Sequence, residues 1–347
     1  MLFRRLGAVA FGAGAALIVV ACSQAYAEDT KPVEALPEAG AADSNVTSSD
    51  ADIDRDSVAP DASATYVELA KGLNDLAGIA ATETDVYVVE RALGNVRALP
   101  IGGGTPTYIE SGGGTPRAIA ATGEAVYWGD FGGAWLKSLS AGATRTVTTG
   151  TKSPFAVSAT KAGVAVLAIG SGDVGELQPY DANLIPGFKF GSVSNPFDVA
   201  AYHDAFYWTE AGAGRINQSQ FGSSTSTELA TGETDCQSIA ANATAVFWTR
   251  PSQGLVRMKK LSSLTPGSLV TGEVGLHSIA VDDSDVYWLT SDGKLRRKRT
   301  GPQELPPATL ASGFGSAFAE MRTRAIALTS KYVVWITTDG RVLRTDK

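Results

Sequence analysis

Apolar and polar positions alternate in short runs along most of this chain. From residue 79 onward, runs of about five β-branched, aromatic or small residues are separated by Gly, Asp, Asn, Ser and Thr, the turn formers. Runs this short and this closely spaced predict β-strands rather than helices. They also recur as a group. A β-branched anchor stands at Ile79, Ile119, Val157, Val199, Ile239, Ile279 and Ile326, at spacings of 40, 38, 42, 40, 40 and 47 residues. Eight positions after each anchor come Tyr87, Tyr127, Ala165, Tyr207, Phe247, Tyr287 and Val334, and nine after come Val88, Trp128, Val166, Trp208, Trp248, Trp288 and Trp335. Five of the six tryptophans thus share one repeat position. A third run follows a glycine turn, as in Gly214-Arg215-Ile216 and Gly293-Lys294-Leu295, and a fourth ends each unit, as in Leu229…Gly232 and Leu269…Gly272.

Four strands every ~40 residues describe one blade of a β-propeller. The expected fold is therefore all-β, a seven-bladed propeller of four-stranded blades over residues 65–347. The seventh repeat stops after its third strand, while Leu69-Ala70-Lys71-Gly72 precedes the first repeat and matches Leu229-Ala230-Thr231-Gly232. An N-terminal strand, Thr65–Leu69, is expected to complete blade seven and close the ring, removing two free edges. The residue after each anchor is small (Ala80, Ala120, Ser158, Ala200, Ala240, Ala280, Ala327), as crowding of seven strands at an axis requires. Each Trp should fill the wider gap between blades. Blade three, with Ala165 and Val166 in place of the aromatic pair, is expected to be the least tightly packed.

The segments Phe206-Tyr207-Trp208-Thr209-Glu210…Gly214-Arg215-Ile216, Tyr127-Trp128-Gly129-Asp130 and Phe247-Trp248-Thr249-Arg250 resemble the YWTD repeats of lipoprotein-receptor propellers. Ile279-Ala280-Val281-Asp282…Val286-Tyr287-Trp288 also resembles the NHL repeat of bacterial exported propellers. The resemblance covers about residues 65–347 and implies the propeller fold; YWTD propellers have six blades, and seven is nearer to NHL-like and streptogramin-lyase-like proteins. A lyase of that type implies a histidine–glutamate cluster with magnesium, which one histidine does not make.

Composition sharpens the picture at the amino terminus. Residues 1–27 read as an export signal: Arg4 and Arg5, then 16 uncharged residues from Leu6 to Ala21, short of the ~20 needed to span a bilayer. Val19-Val20-Ala21-Cys22 resembles a bacterial lipobox, which implies lipidation of Cys22. Ser23 at the next position implies the outer membrane. Cleavage after Ala25-Tyr26-Ala27 is the alternative and would release a soluble periplasmic or secreted protein. Residues 28–64 hold ten carboxylates and two bases, net −8, and predict a self-repelling tether. Of the total charge of −7, the signal contributes +2 and the tether −8, leaving −1 for the propeller, so no nucleic-acid partner is expected. Two cysteines give neither a disulfide framework nor a thiolate metal site.

Candidate chemistry concentrates where strands meet the channel mouth. Two residues before the anchors stand Ala77, Arg117, Phe155, Phe197, Gln237, His277 and Arg324; two after the Trp position stand Glu90, Asp130, Ala168, Glu210, Arg250, Thr290 and Thr337. From these, Glu90, Arg117, Asp130, Glu210, Gln237, Arg250, His277 and Arg324 form a mixed polar ring suited to a protein, peptide or glycan ligand. His203 is expected on the opposite face. No Gly-x-Ser-x-Gly elbow or P-loop lysine accompanies these residues, so no catalytic residue, metal or cofactor is assigned. Asp282-Asp283-Ser284-Asp285, the basic run Lys294–Arg299 with Lys259 and Lys260, and Cys236 read as a turn, a solvated edge and a buried thiol. The expected function is a monomeric, envelope-anchored binding or scaffolding propeller, touching the membrane only through its lipid; the alternative is a lyase or hydrolase acting at the same face.

Overall fold

The computed structural model describes residues 66–131, 135–140, 142–148, 153–169, 173–301, 305–316 and 324–347. The export signal, Cys22 and the acidic segment lie outside the described residues. Seven four-stranded antiparallel sheets follow one another along the chain. Their innermost strands are Leu76–Ala81, Pro116–Ala121, Ser153–Thr160, Pro196–Tyr202, Ile239–Ala241, Leu276–Val281 and Ile326–Leu328. Blade seven takes its outermost strand, Val67–Ala70, from the amino-terminal side; Val67 pairs with Arg344 and Ala70 with Val342. The expected closure is therefore present.

The residue pattern explains the packing. Second strands such as Ala245–Arg250 are buried along their whole length, because both faces meet neighbouring blades. Trp128, Trp208, Trp248, Trp288 and Trp335 are all at most 2% exposed. Each indole turns toward the preceding blade: Trp248 packs with Ile216, Ala230 and Cys236, and Trp288 with Ala240, Phe247 and Val256.

Blade three departs from expectation. Its first three strands have 8, 7 and 8 residues, longer than those of any other blade. Ala165 and Val166 are completely buried. The space left by the missing Trp is taken by Tyr180 and Leu184, which pack with Val166 and Tyr127 against blade two. On the other side Ala165 meets Phe155 and Phe206, with Phe190 and Phe221 against them. The aromatic volume has moved to other strands of the same interface, so loose packing does not result.

Candidate functional site

Innermost strands lie side by side around the axis, too far apart for a continuous ladder. Their axis-facing N–H groups still need acceptors. The preceding blade supplies them from side chains near the anchor. Ala201 N–H donates to Ser158 Oγ (2.9 Å), Ile239 N–H to Asp198 Oδ2 (3.1 Å), Ile279 N–H to Ser238 Oγ (3.3 Å) and Ala325 N–H to Ser278 Oγ (2.9 Å). Between blades seven and one the bond is direct, from Ile79 N–H to Arg324 O (3.1 Å). On its other side Gly78 lets blade one lie close to blade two; a Cβ there would lie 3.1 Å from Arg117 O.

At this entry end the channel is stoppered. Arg324 reaches from blade seven to blade four, where its Nη2 donates to Asp198 Oδ1 (2.9 Å) and Val199 O (2.6 Å). Ser238 Oγ donates to the other Asp198 oxygen at 3.1 Å. Phe155, Phe197, Gln237 and His277 are buried around the clasp. Arg117 lines the same corner as Asp198 and Arg324, and its guanidinium lies over the Phe131 ring, 5.0 Å from the centroid. Gln237 Nε2 donates to Asp235 (3.0 Å), and His277 Nδ1 lies 3.1 Å from Ser278 Oγ.

The other predicted site residues do not converge on the axis. Glu90, Asp130 and Arg250 each pin the linker that enters their own blade, and Glu210 holds the last residue of the preceding blade's outermost strand. Glu90 accepts from Asn74 N–H (2.9 Å), Asn95 Nδ2 (3.0 Å) and Arg97. Burial pushes its carboxyl up, but these bonds and the Arg97 charge outweigh that and hold it below the usual carboxylate range. Asp130 accepts from Thr115 N–H (3.0 Å). Glu210 accepts from Ser194 N–H (3.2 Å), Trp208 Nε1 (3.1 Å), Arg215 (2.8 Å) and Asn217 (2.7 Å). Arg250 reverses the polarity, its Nε donating to Thr234 O at 2.8 Å. One repeat position thus performs one structural task with either charge.

A set of glutamates absent from the sequence-based candidates completes these inter-blade knots. Trp128 Nε1 donates to Glu110 (2.7 Å), Trp248 Nε1 to Glu233 (3.0 Å) and Trp288 Nε1 to Glu273 (3.3 Å). Lys137, Arg257 and Arg296 of the third strands then pair with the same carboxylates at 2.5, 2.8 and 3.3 Å. The signal was present as Gly232-Glu233 and Gly272-Glu273, spaced by one repeat.

Remaining candidates resolve into local structure. His203 lies on the opposite face, edge-on to Tyr202 at 4.4 Å. Burial pushes the Cys236 thiol up to about 12, so it carries little thiolate. Asp282 accepts from Ser284 N–H, Asp285 N–H, Tyr287 Oη and Lys347. In the basic run, Lys294, Arg296 and Arg299 pair with Asp292, Glu273 and Asp285. Among the described residues no group of three His, Cys, Asp or Glu side chains could hold a metal ion.

Beyond the Arg324 clasp lies a channel of about 210 Å³, walled by anchor residues and small neighbours such as Ile79, Ala80, Ile119, Ala120, Ala200 and Ala240. Its far rim, Ala81, Ala121, Ala159, Ala201, Ala241, Val281 and Leu328, is half-buried, in contrast to the mostly buried entry end. The channel therefore opens at the turns between first and second strands.

No protein-family model and no curated protein matches the sequence. Solved structures do. The WD40 β-propeller domain of Doa1 superposes with a TM-score of 0.62 at 12% identity, over 82% of this chain and 98% of that one. The structure of U3-55K gives 0.66 at 11% identity, over 83% and 100%. The RRP9 WD40 repeats give 0.65 at 10%, over 81% and 97%. Likeness at these identities shows the fold alone.

Proposed function

We propose that this chain is a non-catalytic recognition or scaffolding propeller held at the bacterial outer membrane by lipid on Cys22. One observation carries the non-catalytic part: Glu90, Asp130, Glu210 and Arg250, the charged second-strand ring of the predicted mouth, are committed to linkers and inter-blade knots. With Arg324 across the axis, that face is built as framework. Large apolar side chains stand exposed elsewhere, Leu264 at 94%, Val274 at 84% and Ile185 at 60%, on connections between strands. The Tyr-Trp pairs at 127–128, 207–208 and 287–288 support kinship with YWTD- and NHL-type exported propellers.

Photo-crosslinking residues placed singly at Ile185, Leu264 and Val274 in living cells test the recognition reading. A discrete adduct from one of these positions is expected; a protein that forms none from any position while turning over a small molecule overturns it. The anchor is tested separately. Cys22→Ser should move the protein from the membrane fraction to the soluble fraction, and a mature chain beginning at Glu28 would replace the anchor with a cleaved signal.

A further inference from the structure

Every blade ends in an outermost strand whose far edge has no partner strand among the described residues, and such edges are templates for pairing unless they are blunted. Six of the seven are. Val67–Ala70, Thr107–Glu110, Thr227–Ala230 and Gly267–Val270 have only four residues, and Phe190–Ser194 and Ala308–Ser312 have five. All six break register with their neighbouring strand. Pro106, Pro266 and Pro307 precede three of them, and Glu68, Glu110 and Glu228 place carboxylates in three.

Blade two has none of these devices. Its outermost strand, Ala143–Thr148, has six residues and pairs without a shift from Ser140↔Ala143 to Trp135↔Thr148. It contains neither proline nor carboxylate, and three of its residues are threonines. Residues 143–146 are exposed. The direction of the backbone groups follows from the ladder. Thr122 N–H bonds Ala125 O, so residues 125, 127 and 129 face the innermost strand and 126, 128 and 130 face the third. Through the registers Val126↔Leu139 and Ser138↔Arg145, residues 143, 145 and 147 turn inward. Thr144, Thr146 and Thr148 therefore present three N–H and three C=O groups outward.

We propose that this edge docks an extended peptide segment of a partner protein by strand addition, with an acidic side chain facing Arg145; the proposal deepens the recognition reading and rests on it. Arg145 is the one charge of the strand, and its Nη1 is held by Asn183 O (2.7 Å) beside the exposed Ile185. An incoming strand thus meets a cation held in place beside the open ladder. A second copy of this chain fits less well. Antiparallel self-pairing centred on Thr146 puts two Arg145 side chains on one face of a short ladder, where like charges repel.

The test is selection of a phage-displayed library of random ten-residue peptides on the full chain. Enriched sequences should alternate β-branched or aromatic residues and carry one Asp or Glu. Fluorescein-labelled copies should bind Thr146→Pro at least tenfold more weakly and Thr146→Ala unchanged. Because the Thr146 N–H points away from blade two, the proline variant should keep its Tm. No enriched pattern, or equal binding to Thr146→Pro, overturns the proposal. A concentration-dependent dimer in sedimentation that Thr146→Pro abolishes also overturns it, in favour of self-pairing. A crosslinked partner in cells together with failure here would leave the recognition reading standing and this edge refuted.

Discussion

Blades five and seven place the same tryptophan in different surroundings. In blade five the residue after the repeat glycine is Glu233, which accepts from Trp248 Nε1 and pairs with Arg250 (3.4 Å) and Arg257 (2.8 Å). In blade seven that position is Phe314, the third-strand arginine is replaced by Leu343, and Trp335 Nε1 has no hydrogen-bond partner among the described residues. Phe314 and Tyr66 pack on Trp335 with ring centroids 5.2 and 6.0 Å away. The interface between blades four and five thus holds an ion-paired knot, while that between blades six and seven, beside the seam where a strand arrives from the far end of the chain, uses aromatic packing. A buried ion pair adds little net stability but is costly to break by removing one member, whereas apolar packing tolerates change in proportion to the volume lost. The knot enforces one geometry, and the aromatic cluster around Trp335 fills its interface without matched charges.

Four measurements break or sharpen this contrast. The largest effect is expected from Glu233→Ala, which leaves Arg250, Arg257 and the Trp248 indole without their shared acceptor. A loss of about 3–5 kcal/mol in urea denaturation is expected. A loss under ~1 kcal/mol would show that the knot is not structural. Next, Trp248→Phe should cost about 1–3 kcal/mol more than Trp335→Phe, because only the first removes a satisfied indole bond. Equal costs would erase the distinction between the ion-paired and the aromatic interface.

A third measurement asks whether the axis clasp behaves like a knot. Arg324→Met should lose about 1.5–3 kcal/mol, the range for hydrogen bonds to a charged group. Amide exchange at Ile239 and Val199, which adjoin the clasp, should accelerate; unchanged protection would mean that the clasp does not seal the channel.

The smallest effect is a pH dependence. The folded-state pKa of Glu90 is lowered, so its contribution is fully present above the unfolded carboxylate value of ~4.3 and is lost as pH falls through the lowered folded value. Glu90→Gln should therefore flatten the acid limb of the stability curve and leave its slope near neutrality unchanged. An identical acid limb in the variant would mean that the Asn74 and Arg97 bonds do not distinguish the folded state.

Much of the framework was legible in particular residues. The Ile79-to-Ile326 anchors located the innermost strands, and Leu69 located the closing strand. The ring of candidate site residues was legible as a set of equivalent positions but not as a set of partners. Glu90 and Arg250 occupy one repeat position with opposite charge, and only their distances to Asn74 and Thr234 reveal a common task. Blade three misled for a related reason: Tyr180 and Leu184 replace the missing Trp from other positions in the blade, and a repeat alignment compares like positions only.

The sequence by itself determined the number of blades, the strand pattern and the seam, because each depends on local alternation repeated at a fixed spacing. Tertiary structure alone decided that Arg324 crosses to Asp198, that the channel opens at the opposite end, and that the outer edge of blade two is unblunted. Those features arise between residues up to 126 positions apart, or from the register of one strand against its neighbour. Hydrophobic period fixes which face of a strand is buried. It does not fix which distant side chain a charged group will meet, and that meeting is what separates framework from binding surface here.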